Sequence, residues 1–165
     1  GSVGSRFRST PLKLGEIFIG EGIGVVLTIM AQVLILLMIS NFAFGVNFGN
    51  NLPTIILIAF SLSVLSTMLG IFAVMATKKG LLGLALLNVL VPIFTFLSGG
   101  FVKVNFGGII GFIAKLTPNS LASNAIFKSI YGGATKEVFL SILGLWIISA
   151  LLFMGASIIG RRERA

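Results

Sequence analysis

The sequence predicts an all-α integral membrane fold, with four transmembrane helices and an outer re-entrant helical hairpin. Three observations carry this reading. Hydrophobic residues make up 56% of the 165-residue chain and charged residues 10%, where soluble globular proteins carry roughly 25% charged residues. Mean hydropathy is +1.13. From Gly22 to Thr77 no ionisable side chain occurs. A soluble domain of this size has no interior able to hold that much uncharged chain, so its solvent is lipid.

The elements follow in chain order. Residues 5–20 form an amphiphilic entry, in which Arg6 and Arg8 precede a Thr10-Pro11 step and Glu16 follows, with Glu21 just beyond it. Thr10 as N-cap and Pro11 at the first helical position predict a short helix leading into the membrane. A bilayer core of about 30 Å needs about 20 helical residues, and four stretches meet that requirement: 22–45, 54–77, 81–98 and 137–159. The loop between the first two is rich in Asn, Gly and Pro, which favour turn geometries. Only Lys78-Lys79-Gly80 separates the second from the third, which predicts a tight antiparallel pair.

Segment 101–131 is apolar in patches but carries Lys103, Lys115 and Lys128. A lysine near the middle of a span costs roughly 2.5–3.5 kcal/mol. Pro118 within Thr117-Pro118-Asn119 interrupts a helix, having no N–H and clashing with the preceding turn. Two half-helices meeting at this turn, entering the membrane and returning to the same side, accommodate both facts.

Charge sets the orientation. Four spans place both termini and the 78–80 turn on one side, together with Arg6, Arg8, Lys13, Lys78, Lys79, Arg161, Arg162 and Arg164, eight of the 12 basic residues. The positive-inside rule makes that side cytoplasmic. A fifth span would send the Arg-rich tail outside. The net charge of +8 is thus chiefly a topology signal. Nucleic-acid binding wants a basic stripe interleaved with stacking aromatics on a soluble face, and here the aromatics sit inside the apolar runs.

Composition also narrows the chemistry. Histidine and cysteine are absent, which removes imidazole and thiolate metal sites, thiol nucleophiles and the commonest general base. The four acids, Glu16, Glu21, Glu137 and Glu163, all fall outside the span interiors, so carboxylate dyads and intramembrane proton relays lack their parts. The expectation is a protein that is not an enzyme. No G-x-x-x-x-G-K-[ST] phosphate loop occurs, so no cofactor is expected in this chain.

The entry segment resembles the cytoplasmic coupling segment of ABC-2 type transporter permeases, through Gly4, Ser5, Arg8, Thr10, Pro11, Leu12, Glu16 and Gly20. Glu21 departs from the pattern, standing where the family usually has a lysine. The similarity continues to the C-terminus: two spans joined by a short basic turn, a third span, a Pro-interrupted outer hairpin, a last span and an Arg-rich tail. The step Leu116-Thr117-Pro118-Asn119-Ser120-Leu121-Ala122 is similar to the family's outer turn.

The resemblance implies a single permease domain over 1–165, with two spans of a full permease preceding it. It implies a cytoplasmic N-terminal coupling helix docking a separate ABC ATPase subunit through Arg6, Arg8, Thr10, Pro11, Leu12 and Glu16. ATP would be bound by that partner. It further implies a second permease copy or homologous half, surrounding membrane lipid, export across a bacterial inner membrane, and Thr117, Pro118 and Asn119 as the re-entrant turn. Asn88, four residues before Pro92, is expected to face the translocation path, with Phe94 and Phe96 near its outer end. Other polar span residues, Gln32, Ser61, Ser63, Ser66, Thr67, Thr95, Ser141 and Ser149, are expected to hydrogen-bond between helices, and Trp146 to pack. An ion-coupled secondary transporter is the alternative, which wants an ionisable midplane group; a structural assembly protein is another.

Overall fold

The computed structural model describes residues 14–48, 51–100, 107–132 and 135–162. All the regular structure among them is helical: α1 (Leu14–Phe44), α2 (Leu52–Thr77), α3 (Gly80–Leu97), α4 (Gly108–Leu116), α5 (Pro118–Ile130) and α6 (Thr135–Arg162). Four of these are long and apolar enough to cross a membrane: Gly20–Phe44 within α1, α2, α3, and Thr135–Gly160 within α6. The chain is a multi-pass membrane protein.

Each boundary has a local cause. α1 ends at Gly45, whose φ of +64° lets its N–H reach the Asn41 carbonyl while Val46 N–H reaches Ser40, both at 3.0 Å. These two bonds satisfy carbonyls that the helix end leaves open. α2 starts with Pro53 in its first turn, where a missing N–H costs nothing. It stops at Lys78, which takes a left-handed φ of 57°. Lys79 is then extended and caps α3, so the expected tight antiparallel turn is present.

α2 is the hub, packing against α1, α3, α5 and α6, whereas α1 packs on α2. The core joins Ile58 and Leu65 of α2 to Ala122 and Ala125 of α5 and to Val138 and Leu145 of α6. Lipid tails are as apolar as leucine, so this core is held by close packing rather than by escape from water. Glycines permit the closest approaches. At Gly83 a Cβ would stand 2.9 Å from the Val74 Cα, and at Gly155 it would meet the Phe72 ring.

Polar contacts define the two ends of the bundle. At one end the Asn51 carboxamide donates to the Ser129 carbonyl at 2.8 Å, and Lys128 pairs with Glu137. The α4–α5 hairpin therefore lies beside the starts of α2 and α6, opposite the 78–80 turn. The entry segment differs in one respect from a separate short helix. Its described part, from Leu14, runs into the first span as one helix through Gly20-Glu21-Gly22. A change in side-chain polarity is not a break in backbone bonding.

Candidate functional site

The hairpin turn is built around Thr117, which closes α4 and caps α5. Its hydroxyl lies 2.7 Å from the Ala114 carbonyl and 2.9 Å from Ser120 Oγ. Ser120 Oγ lies 2.6 Å from the same carbonyl, and the Ser120 N–H donates back to Thr117 Oγ1 at 3.4 Å. Pro118 at the first position of α5 fixes φ and withholds no bond that the helix needs. The turn is buried at Thr117 and Ser120, so these polar groups satisfy one another. Lys115 sits exposed in the last turn of α4 rather than in mid-span.

Asn119, next in the turn, leaves the hairpin and donates through Nδ2 to Thr95 Oγ1 of α3 at 2.9 Å. Thr95 in turn donates its hydroxyl to the Val91 carbonyl at 2.9 Å. Its own carbonyl accepts from Ser98 Oγ at 2.8 Å and from Gly100 N–H at 2.9 Å. The C-terminal end of α3 and the hairpin turn thus meet at one pair of side chains.

Asn88 lies two turns below Thr95 on the same face of α3, by helical geometry. It is exposed. Pro92, inside the helix, has no N–H to give the Asn88 carbonyl, so that face carries both a carboxamide and a weakened backbone at mid-span. Phe94 is half-buried and Phe96 is 45% exposed. They flank Thr95 on either side: Phe96, eight residues on from Asn88, lies at the edge of the same face, and Phe94 lies off it. The three residues expected on the path therefore run from the middle of α3 to its C-terminal end, Asn88 and Phe96 toward one side and Phe94 toward the other.

Most of the hydroxyls expected to bond between helices bond within their own. Ser61, Ser63, Thr67, Ser141 and Ser149 each donate to the carbonyl four residues back, at 2.8–3.0 Å. A serine or threonine can satisfy its proton on its own helix; the Ser63 hydroxyl also lies 3.7 Å from Met30 Sδ of α1, a weak contact between helices. Ser61 is also an acceptor: Trp146 Nε1 donates to it at 3.1 Å. Trp146 is 45% exposed and tilted on Phe60, so it serves as an interhelical donor as well as a packing group. Gln32 and Ser66 are exposed.

Arg6, Arg8, Thr10, Pro11 and Leu12 lie outside the described residues, as does the expected helix start at Thr10. Glu16 falls in the first turn of α1. Among the described residues, no cluster of acids could hold a metal ion.

Two open apolar grooves flank the α1–α2 contact. One, of about 380 Å³, runs past Val25, Ile29, Ile71 and Met75 to Glu21. The other, of about 340 Å³, is lined by Val26, Phe60, Met68 and Phe153. Neither reaches the Asn88 face. Sequence reasoning did not pick out the Asn119–Thr95 pair, and no local signal marks it, because it depends on how two helices pack.

A family model described as ABC-2 family transporter protein matches residues 2–158. No curated protein and no solved structure gives a significant match.

Proposed function

The chain belongs to the ABC-2 family of transporter proteins, and from that premise we propose that it is the permease subunit of an ATP-driven exporter. The observation that carries the proposal is the family match along nearly the whole chain. In this reading a separate ABC ATPase subunit binds and hydrolyses ATP. Segment 5–20, through Arg6, Arg8, Thr10, Pro11, Leu12 and Glu16, receives its movement on the cytoplasmic side. Substrate passes along the interface with a second permease copy or homologous half, on the path that Asn88 faces. The protein sits in the inner membrane with both of this chain's termini in the cytoplasm.

The mechanism is a biased two-state transition. Nucleotide binding favours one arrangement of the ATPase pair and so one arrangement of the permease helices, and the shift can be no larger than that differential binding. Helices packed as rigid bodies then rock between inward- and outward-open states. The exposed carboxamide of Asn88 supports this placement, since a polar group in hydrocarbon is costly and a path or a neighbouring subunit relieves it.

The test is purification of the native protein in mild detergent. A stoichiometric ATPase subunit is expected to accompany it, and to be lost when Arg6, Arg8 and Glu16 are reversed in charge. Purification without an ATPase, with flux following an ion gradient, would replace this reading with a secondary transporter.

A further inference from the structure

We infer that the hydrogen bond from Asn119 to Thr95 is a releasable tie, which holds the outer end of α3 to the hairpin in this conformation and opens during the transport cycle. The inference rests on the transporter reading above and adds to it a pair of residues that position α3.

The two sides of the tie belong to differently held parts of the fold. Asn119 belongs to α5, whose Ala122 and Ala125 are 3% and 0% exposed within the core. Its turn is stiffened by the Thr117–Ser120–Ala114 contacts. Thr95 belongs to an arm. Only 6% of the α3 span is buried, against 33% of the α2 span, and the buried residue of α3 is Gly83, at the far end, seated on the backbone of Val74. Between seat and tie stands Pro92, which removes one rung of the helix ladder. A helix seated at one end and interrupted near the other can swing its outer part when the contact there is released.

The chemistry of the contact makes release inexpensive. Thr95 contributes only a lone pair, because its proton is already given to the Val91 carbonyl. The bonds that its carbonyl takes from Ser98 and Gly100 stay within α3 and the residues following it. Opening the tie therefore disturbs no backbone bond, and the Asn119 carboxamide needs only a replacement acceptor such as water.

The sequence contains no cysteine, so T95C/N119C introduces the one thiol pair of this chain, and cysteine-directed bridging of the parent complex serves as the control. In the purified complex with its ATPase, a short bifunctional thiol reagent with a cleavable link should bridge the pair readily without nucleotide. Trapping with ATP, Mg²⁺ and vanadate should slow bridging at least fivefold. The bridged complex should lose at least tenfold in ATP turnover and recover it when the link is cleaved, which separates a lock from misfolding. A bridging rate unaffected by trapping, or unchanged turnover in the bridged complex, overturns the tie and leaves the transporter reading standing. If the cysteine-free parent brings no ATPase, both readings fall together.

Discussion

Gly83→Ala tests the α2–α3 seat directly. An added Cβ would lie 2.9 Å from the Val74 Cα, 3.0 Å from the Val74 N and 3.1 Å from the Ala73 carbonyl carbon. All three are backbone atoms, so no rotamer change relieves the contact. Reaching the normal carbon separation of about 3.5 Å moves α3 outward by roughly 0.5 Å. Overpacking of this kind costs about 1–3 kcal/mol, partly offset by the helix preference of alanine over glycine, about 1 kcal/mol. The net loss is about 1 kcal/mol. At roughly 2–4 °C per kcal/mol for a chain of this length, Tm falls by about 3 °C.

Two companion variants calibrate the result. At Gly155 the nearest atoms are on the Phe72 ring, at 2.9 and 3.3 Å, and a ring can swing aside, so Gly155→Ala should be near neutral. At Gly24 nothing lies within 4 Å, and Gly24→Ala should gain up to about 1 kcal/mol. Thermal unfolding of all three in one detergent, followed by size-exclusion recovery, measures the order. Gly83→Ala melting at or above the parent refutes the close seat.

Trp146→Phe removes the donor to Ser61, and a double-mutant cycle with Ser61→Ala should give a coupling of about 0.6 kcal/mol, the membrane average; no coupling would mean the pair contributes only packing. Ser129 Oγ is buried without a hydrogen-bond partner, so Ser129→Ala should leave stability unchanged or raise it by about 1 kcal/mol. A loss of that size in the same unfolding assay would show the hydroxyl to be bonded. Thr117→Val keeps the shape but loses the cap on α5 and the bond to Ala114, and should cost about 1–2 kcal/mol. Faster amide hydrogen exchange at 118–121 would report the freed helix start, and Thr117→Ser should restore protection.

The spans were legible because lipid imposes one requirement, a long uncharged helix, that composition alone reveals. The third span, expected at 81–98, is observed at Gly80–Leu97, and the second, expected at 54–77, at Leu52–Thr77. The hairpin break at Pro118 was legible for a backbone reason that holds in any context. What the sequence could not supply was the rotation of each helix about its axis. A soluble helix announces its buried face by an apolar stripe, but helices that are apolar all round announce none. Hence the pairing of Trp146 with Ser61 and of Asn119 with Thr95 follows only from packing. At the start of α1 the glycines and Glu21 mark a change of surroundings without interrupting the helix.

The unequal burial of the spans has its own origin in composition. The interior of α2 presents Ser61, Ser63, Thr67 and Ala73, small or hydroxyl-bearing groups that allow close approach and find bonds there, which is what draws helices together in lipid. The outward faces of α1 and α3 carry Leu, Ile, Val, Phe and Met, as at Leu36, Met38, Leu84 and Val89; such faces gain nothing by leaving lipid. Against that background an exposed polar residue in mid-span is the exception. Gln32 of α1 and Asn88 of α3 are both such residues. They differ in the backbone beside them, because Pro92 leaves the Asn88 carbonyl without its usual helical donor whereas Gln32 keeps an unbroken ladder. A long glutamine on an intact helix can be met by one passing partner. A short asparagine over a weakened turn presents two polar groups at one level, and a polar path beside α3 meets both at once. That difference is why the proposed route follows α3 rather than α1.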